Sequence, residues 1–186
     1  MLDLLKASLE EAPVVKMGNY DYFVHPLTDG VPEIKPELIQ EIVGEIKNNL
    51  IKDYDKFVTI EAMGLPIGIT LAMNMNKPLV VIRKRSYGFD DEVAVQQVTG
   101  YSKGQLFING LEPDDKIVIV DDVVSTGGTL IAVLKALINM GIDIVDVIVV
   151  IEKRDSKMYV EEQTGIEIKT LVTVDIINER VILFDG

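Results

Sequence analysis

The 186-residue sequence predicts an α/β domain built on a mainly parallel central sheet flanked by helices. Three observations carry this expectation. Short β-branched runs alternate with longer stretches of helical period, the order that βαβ units impose. The strand-type runs are apolar at nearly every position, as strands covered on both faces are. With 48% apolar and 26% charged residues, the composition suits one compact core rather than a disordered chain.

The elements follow in order. The opening "MLDLLKASLEEAPVV" reads as a short helix and carries acids early, without the basic start or cleavage pattern of a signal peptide. "VVKMGNYDYFVHPLTDGVPEIKP" (14–36) alternates like a hairpin around Gly18-Asn19 and then becomes rich in proline, so residues 1–36 are expected to form an N-terminal helix and a small hood outside the sheet. In "PELIQEIVGEIKNNL", Leu38, Ile42, Ile46 and Leu50 share one face behind Pro36, which predicts an amphipathic helix over 36–50 that covers a sheet. Strand-type runs lie at 57–61, 78–83, 116–121, 146–152 and 168–176. Helical stretches lie at 65–75 and 127–140, the second closed by Gly141. Residues 84–105 are too long and polar for an ordinary connection and predict a functional lid or arm, a long mobile loop. No repeat or linker marks a second domain, so 1–186 is read as one.

Composition narrows the chemistry. Zero cysteines exclude disulfides and thiolate zinc sites, and the single His25 excludes multi-histidine metal sites and leaves little room for a Ser-His triad. His25 itself precedes a proline in a loop and receives no role. Met63, Met73 and Met75 read as packing, since no other soft metal ligand is near. A net charge of -12 argues against nucleic acid and anionic membranes, which need a basic face. It permits a small polyanion held by a local basic cluster, backbone amides and a divalent cation. No apolar run approaches the ~18 residues of a membrane span, so a cytoplasmic protein is expected.

The most informative segment is "KIVIVDDVVSTGGTL", Lys116 to Leu130. Adjacent carboxylates at a buried strand end repel each other, so Asp121 and Asp122 call for a partner that offers hydroxyl donors or a cation. Gly127 and Gly128 let backbone amides approach an anion, the following helix adds positive potential, and Ser125, Thr126 and Thr129 add hydroxyls. A ribose 5-phosphate has the matching shape, with hydroxyls for the acids and phosphate for the glycines. The plain alternative is a tight strand-to-helix turn with a solvated acidic pair. The Walker loop and the Rossmann fingerprint both fail, for want of Gly-Lys-Ser/Thr and of a GxGxxG after a strand.

This stretch resembles the PRPP-binding motif of the type I phosphoribosyltransferases. The resemblance implies that Asp121 and Asp122 hold the ribose hydroxyls, and possess a catalytic role, while Ser125, Thr126, Gly127, Gly128 and Thr129 hold the 5-phosphate. "TIEAMGLPIG" stands where the family has its pyrophosphate loop, assigning Ala62, Met63 and Gly64 to the leaving group. "VVIRKRSYGF" is similar to the basic strand end that opens the catalytic loop and "GYSKGQLFING" to its return, which adds Arg83, Lys84, Arg85 and Lys103. Mg²⁺ is implied as cofactor through the PRPP complex, with Asp121 and Asp122 as metal contacts, and a homodimer as the assembly.

Within the family, "VIRK", the lid ending in Tyr101 and "DDVVSTGGT" look like adenine and archaeal hypoxanthine/guanine phosphoribosyltransferases; "NYDYFVHPLTDGVPEIKPEL" looks most like the latter. PRPP and a purine base are therefore the implied substrates. Adenine, xanthine or pyrimidine enzymes and a non-catalytic PRPP sensor stay open as alternatives. Lys153 is a candidate donor to a purine O6, against the plainer reading of an exposed charge in "EKRD". Phe23, with Tyr20 and Tyr22, is a candidate for stacking on the base, against a packing role. Position 125 is Ser where many six-oxopurine enzymes have a carboxylate, and position 100 is Gly where adenine enzymes often have a glutamate, so the acceptor of the purine proton is unassigned. Asp91 and Glu92 are candidates, against a solvated "DDE" run.

Overall fold

The computed structural model describes residues 2–18, 20–50, 53–98 and 103–184. The chain opens with α1 (Asp3–Glu10) and a hairpin of β1 (Val14–Met17) and β2 (Tyr20–Phe23), which pair only with each other. Next come α2 (Pro26–Asp29) and α3 (Pro36–Asn49), each started by a proline whose missing N–H is no loss in a first turn. Then follow β3 (Lys56–Ile60), α4 (Gly64–Met75), β4 (Leu79–Ile82) and a second hairpin of β5 (Val93–Val98) and β6 (Lys103–Ile108). The chain finishes with β7 (Lys116–Val124), α5 (Gly128–Asn139), β8 (Asp143–Lys153), α6 (Ser156–Thr164), β9 (Lys169–Ile177) and β10 (Arg180–Phe184).

Six strands form the central sheet in the order β10-β9-β8-β7-β3-β4. All neighbours are parallel except β10, which adds antiparallel to β9. Side chains alternate between two cores. On β7, Val118 and Val120 pack with Leu5 and Leu9 of α1, Ile42 and Ile46 of α3 and Leu71 of α4, whereas Ile117 and Ile119 pack with Val133, Leu134 and Leu137 of α5. A strand apolar at every position is the result of having both faces covered.

Several elements differ from expectation. The strand expected over 116–121 continues to Val124, because β8 keeps pairing with it as far as Val124 and Glu152. The acid pair thus lies within the strand. The segment read as a lid or arm is a hairpin, β5–β6, whose Val95, Leu106 and Ile108 are buried and whose first strand packs on α5. The foot of the arm therefore belongs to the core. The proline-rich loop contains α2, a single turn N-capped by His25. Neither α6 nor β10 was expected; α6 has Val160 as its one fully buried apolar side chain, too few for a visible helical stripe.

Candidate active site

The strand order reverses between β3 and β7. From β3 the chain passes through α4 to β4 on one side, and from β7 through α5 to β8 on the other. Crevices at the carboxyl ends of parallel strands open at such a point. Two loops leave it, residues 61–63 and residues 125–127.

Asp122 is 8% exposed and Asp121 half-buried, with the Asp122 amide donating to Asp121 Oδ1 at 3.1 Å. Burial pushes the proton affinity of both carboxyls up, and the charge of Asp121 pushes Asp122 further. The pair is not the solvated strand end of the plain alternative. A Cβ on Gly64 would stand 2.7 Å from Asp121 Oδ1 and would also collide with the hydroxyl of Thr59, which donates to Val120 O at 2.9 Å. The loop after β3 is thus packed directly against the acid pair, and only glycine fits there.

Ala62 and Met63 form the turn between β3 and α4, and the Glu61–Ala62 peptide is cis. Glu61 accepts from the Lys84 amide at 2.9 Å and from Arg83 Nε at 2.8 Å, and these bonds, the amide first, hold its carboxyl below the usual range. The basic end of β4 is so drawn to this turn. The guanidiniums of Arg83 and Arg85 lie 5.9 and 5.8 Å from the Tyr87 ring. Lys103 opens β6, but its side chain lies outside the described residues, as does Tyr101. Glu92, though still partly open to solvent, is not an unpartnered acid of a "DDE" run. It accepts from the Ser86 hydroxyl, the Tyr87 amide at 2.9 Å and Asn109 Nδ2 at 2.9 Å, and these donors lower its pKa to about 2. So firmly ionised a group is a poor proton acceptor. Asp91 is exposed.

Ser125 and Thr126 lead into Gly127, which has φ +73° and caps α5. The amides of the first turn, from Gly128 and Thr129 onward, lack intrahelical acceptors, the property that makes a helix start an anion site. The unforeseen α6 supports this loop from behind. Its Ser156 hydroxyl donates to Ser125 O, and a Cβ on Gly127 would stand 2.7 Å from Val160 Cγ2.

The hood faces the end of β7 across a cavity of about 40 Å³ lined by Tyr20, Asp21, Tyr22, Phe23, Thr28, Val123 and Ser125. By volume it holds roughly three waters. A two-ring base enters only if the hairpin yields. Phe23, 7% exposed, packs into the core as well as lining this cavity. Lys153 is no exposed loop charge: its Nζ donates to Asp21 O at 3.2 Å and lies 3.9 Å from the centre of the Tyr20 ring. Asp29 accepts from the Tyr22 hydroxyl at 2.6 Å, the Thr28 hydroxyl at 2.7 Å and the His25 amide at 2.9 Å. His25, given no role from sequence, is fully buried. Its Nδ1 accepts from the Leu27 amide at 3.1 Å, which leaves Nε2 to donate to Ser8 Oγ at 2.9 Å, and burial lowers its pKa to about 4. A groove of about 630 Å³ between α1, α2 and the start of α3 is lined by no residue of the loops at 61–63 or 125–127.

An acid pair with Asp122 buried and Asp121 half-buried, a glycine-led helix start and a tight turn thus meet at one switch point of the sheet. Residues 33–179 match the phosphoribosyl transferase domain, and the chain belongs to that family. It is 53% identical, over 98% of its length and 96% of the relative, to a hypoxanthine/guanine phosphoribosyltransferase of Methanobacterium paludis. With that of Methanothermobacter thermautotrophicus it shares 52% over 97% of this chain and 94% of the relative. Among solved structures, an adenine phosphoribosyltransferase of Thermoanaerobacter pseudethanolicus superposes with TM-score 0.76 at 20% identity, covering 93% of this chain and 99% of the other. That of Saccharomyces cerevisiae, complexed with an imino-altritol bisphosphate and adenine, gives 0.75 at 20%, covering 91% and 97%. At such identity these two speak for the fold alone.

Proposed function

We propose that the protein transfers the 5-phosphoribosyl group of PRPP to hypoxanthine or guanine, giving IMP or GMP and pyrophosphate, in purine salvage. The observation that carries the transfer chemistry is the Asp121–Asp122 pair, half-buried and buried, between the turn at Ala62–Gly64 and the helix start at Gly127–Gly128. The base assignment is supported by relatives of that name that match at 48–54% identity over nearly the whole chain.

In this reading the first-turn amides of α5, with Ser125, Thr126 and Thr129, bind the 5-phosphate. The acid pair takes the ribose hydroxyls, exchanging its mutual repulsion for two donors, and stays close to the positive charge that develops on the sugar as the bond to pyrophosphate breaks. Amides of residues 62–64 and the side chains of Arg83, Lys84 and Lys103 receive the leaving group. The arm excludes the water that would otherwise hydrolyse the activated sugar. The two carboxylates are hard oxygen donors of raised proton affinity, which fits Mg²⁺, and Asp121 and Asp122 would hold it together with phosphate oxygens. Bound Mg²⁺ supplies neutralisation of the pyrophosphate. Lys153 is the donor to the purine O6 and Phe23 part of the wall beside the base.

A homodimer belongs to the same proposal. Helix α4 carries no charged side chain, yet leaves Ile69 48% and Met73 79% exposed. For a chain of net charge -12 an uncharged face is where two copies meet with least repulsion. No helix among the described residues is long and apolar enough to cross a membrane, and a cytoplasmic location completes the reading.

The test is a spectrophotometric screen of free bases with PRPP and Mg²⁺. Turnover of hypoxanthine and guanine above adenine and xanthine is expected. Preference for adenine overturns the base assignment, and PRPP binding without turnover of any base favours a sensor.

A further inference from the structure

Joining a purine nitrogen to ribose C1 releases the proton that the nitrogen carried, and a closed site must offer it an acceptor. Asp121 and Asp122 are committed to the sugar, position 125 is a serine, and Glu92 is bound by three donors at the foot of the arm. Two carboxylates stand by the hood cavity: Asp21 lines it, and Asp29 lies behind it, bound to the hydroxyls of the lining residues Tyr22 and Thr28. The charge of Asp29 reaches Asp122 on β7. Its Oδ1 takes the Tyr22 hydroxyl at 2.6 Å, and its Oδ2 is fixed by the Thr28 hydroxyl and the His25 amide. Tyr22 and Thr28 both line the cavity, with Val123 and Ser125 contributed by the β7 side. A phenol that donates to a carboxylate carries more negative charge on its oxygen and accepts better.

We propose that the Tyr22 hydroxyl, backed by Asp29, accepts the ring N–H of the incoming purine and relays its proton to Asp29. The proposal rests on the phosphoribosyl-transfer reading above. As the purine nitrogen bonds to C1 of the ribose, the C1–O bond to pyrophosphate breaks and its electron pair leaves with pyrophosphate. The purine proton passes to the Tyr22 oxygen while the phenolic proton passes to Asp29, which ends as a neutral acid and returns the proton to water after product release. No further reactant is needed. Tyr22 touches the base and is the catalytic residue; Asp29 acts through it and is a positioning residue. Among the described residues Asp21, the other carboxylate at this cavity, is paired with Lys16 at 2.5 Å and touches no lining hydroxyl in the way Asp29 does, and Lys153 donates to Asp21 O.

The experiment compares Tyr22→Phe, Asp29→Asn and the double variant with hypoxanthine and with 8-azahypoxanthine, whose ring N–H is more acidic and needs less help. Each single variant is expected to lose about a hundredfold in kcat with hypoxanthine, with the Kd for PRPP and Mg²⁺ unchanged. The double variant should lose no more than either single one, because the two groups act as one unit. With 8-azahypoxanthine the loss should shrink about tenfold, a rescue that a packing role does not produce. Phenylalanine keeps the ring, so Tyr22→Phe remains informative if Asp29→Asn disturbs α2. Equal losses with the two bases, additive losses, or normal turnover by Tyr22→Phe overturn the relay and leave the function standing. A wild-type protein that binds PRPP but turns over neither base removes the function reading, and the relay with it.

Discussion

Gly64 and Asp121 touch across the crevice, so that one added methyl on the glycine would sit 2.7 Å from the carboxylate oxygen. The turn after β3 and the acid pair on β7 are therefore one packed unit. Gly64→Ala must displace Asp121 or Thr59, and overpacking of this kind costs about 1–3 kcal/mol. The expected outcome is a lower midpoint in urea and a loss in kcat/KM of at least about tenfold, the equivalent of ~1.4 kcal/mol. Normal turnover in this variant would show that the carboxylate can move without consequence.

Asp122→Asn should separate stability from activity. Burial and the neighbouring charge raise the proton affinity of the folded pair above that of the unfolded chain. Between the two values the native state binds more protons, so stability is present below the window and declines as pH rises through it. At pH 7, without PRPP or Mg²⁺, the variant is expected to melt above the wild type, with the gap closing as pH falls towards about 4. PRPP turnover should be lost. Calorimetry across pH checks this, and a lower Tm at pH 7 contradicts it.

His25 works in the opposite direction. Its pKa falls from 6.5 to about 4 on folding, so the unfolded chain binds more protons between those values. The stability it contributes is complete above about pH 6.5 and is lost as pH drops towards 4, a change of roughly 3 kcal/mol. Asparagine can keep the cap on α2 without titrating. Denaturation midpoints of His25→Asn should therefore depend much less on pH in this range; an unchanged acid slope would place the titration elsewhere.

Lys153→Ala should raise KM for the base several-fold and leave KM for PRPP within about twofold. Both the proposed contact to O6 and the tie to the hood at Asp21 O vanish together. Steady-state kinetics with each substrate varied in turn would expose a change confined to PRPP, which would remove Lys153 from the base side.

What the sequence made legible was local. The run from Lys116 to Leu130 holds its strand, acids, hydroxyls, glycines and helix within fifteen residues, and the parallel sheet follows from runs that need no distant partner to be recognised. What stayed hidden depends on groups far along the chain. Ser156 reaches Ser125 across 31 positions, and Lys153 reaches Asp21 across 132. Nothing in "SKMYVEEQT" shows that it props up a loop on another strand. "DDE" likewise looks solvated until Ser86 and Asn109 close on Glu92. The depth of the acid pair also escaped, because β7 runs past it only by virtue of its pairing with β8.

Among the described residues the hood hairpin pairs with no strand of the central sheet, and it is joined to the body by side chains: the Lys153 contacts, the packing of Phe23 and Leu27 into the core and the small cavity against Val123 and Ser125. On the proposed reading, the groups that handle the sugar bond, between residues 61 and 129, are separate in sequence from those that meet the incoming ring, the hairpin and α2 at residues 20–30 together with Lys153. The two can diverge independently. If that reading holds, exchange of the short hairpin near the start of the chain together with position 153 alters the choice of acceptor while the sugar-handling loops stay in place, which marks the hood as the first segment to graft when a different nucleobase is wanted.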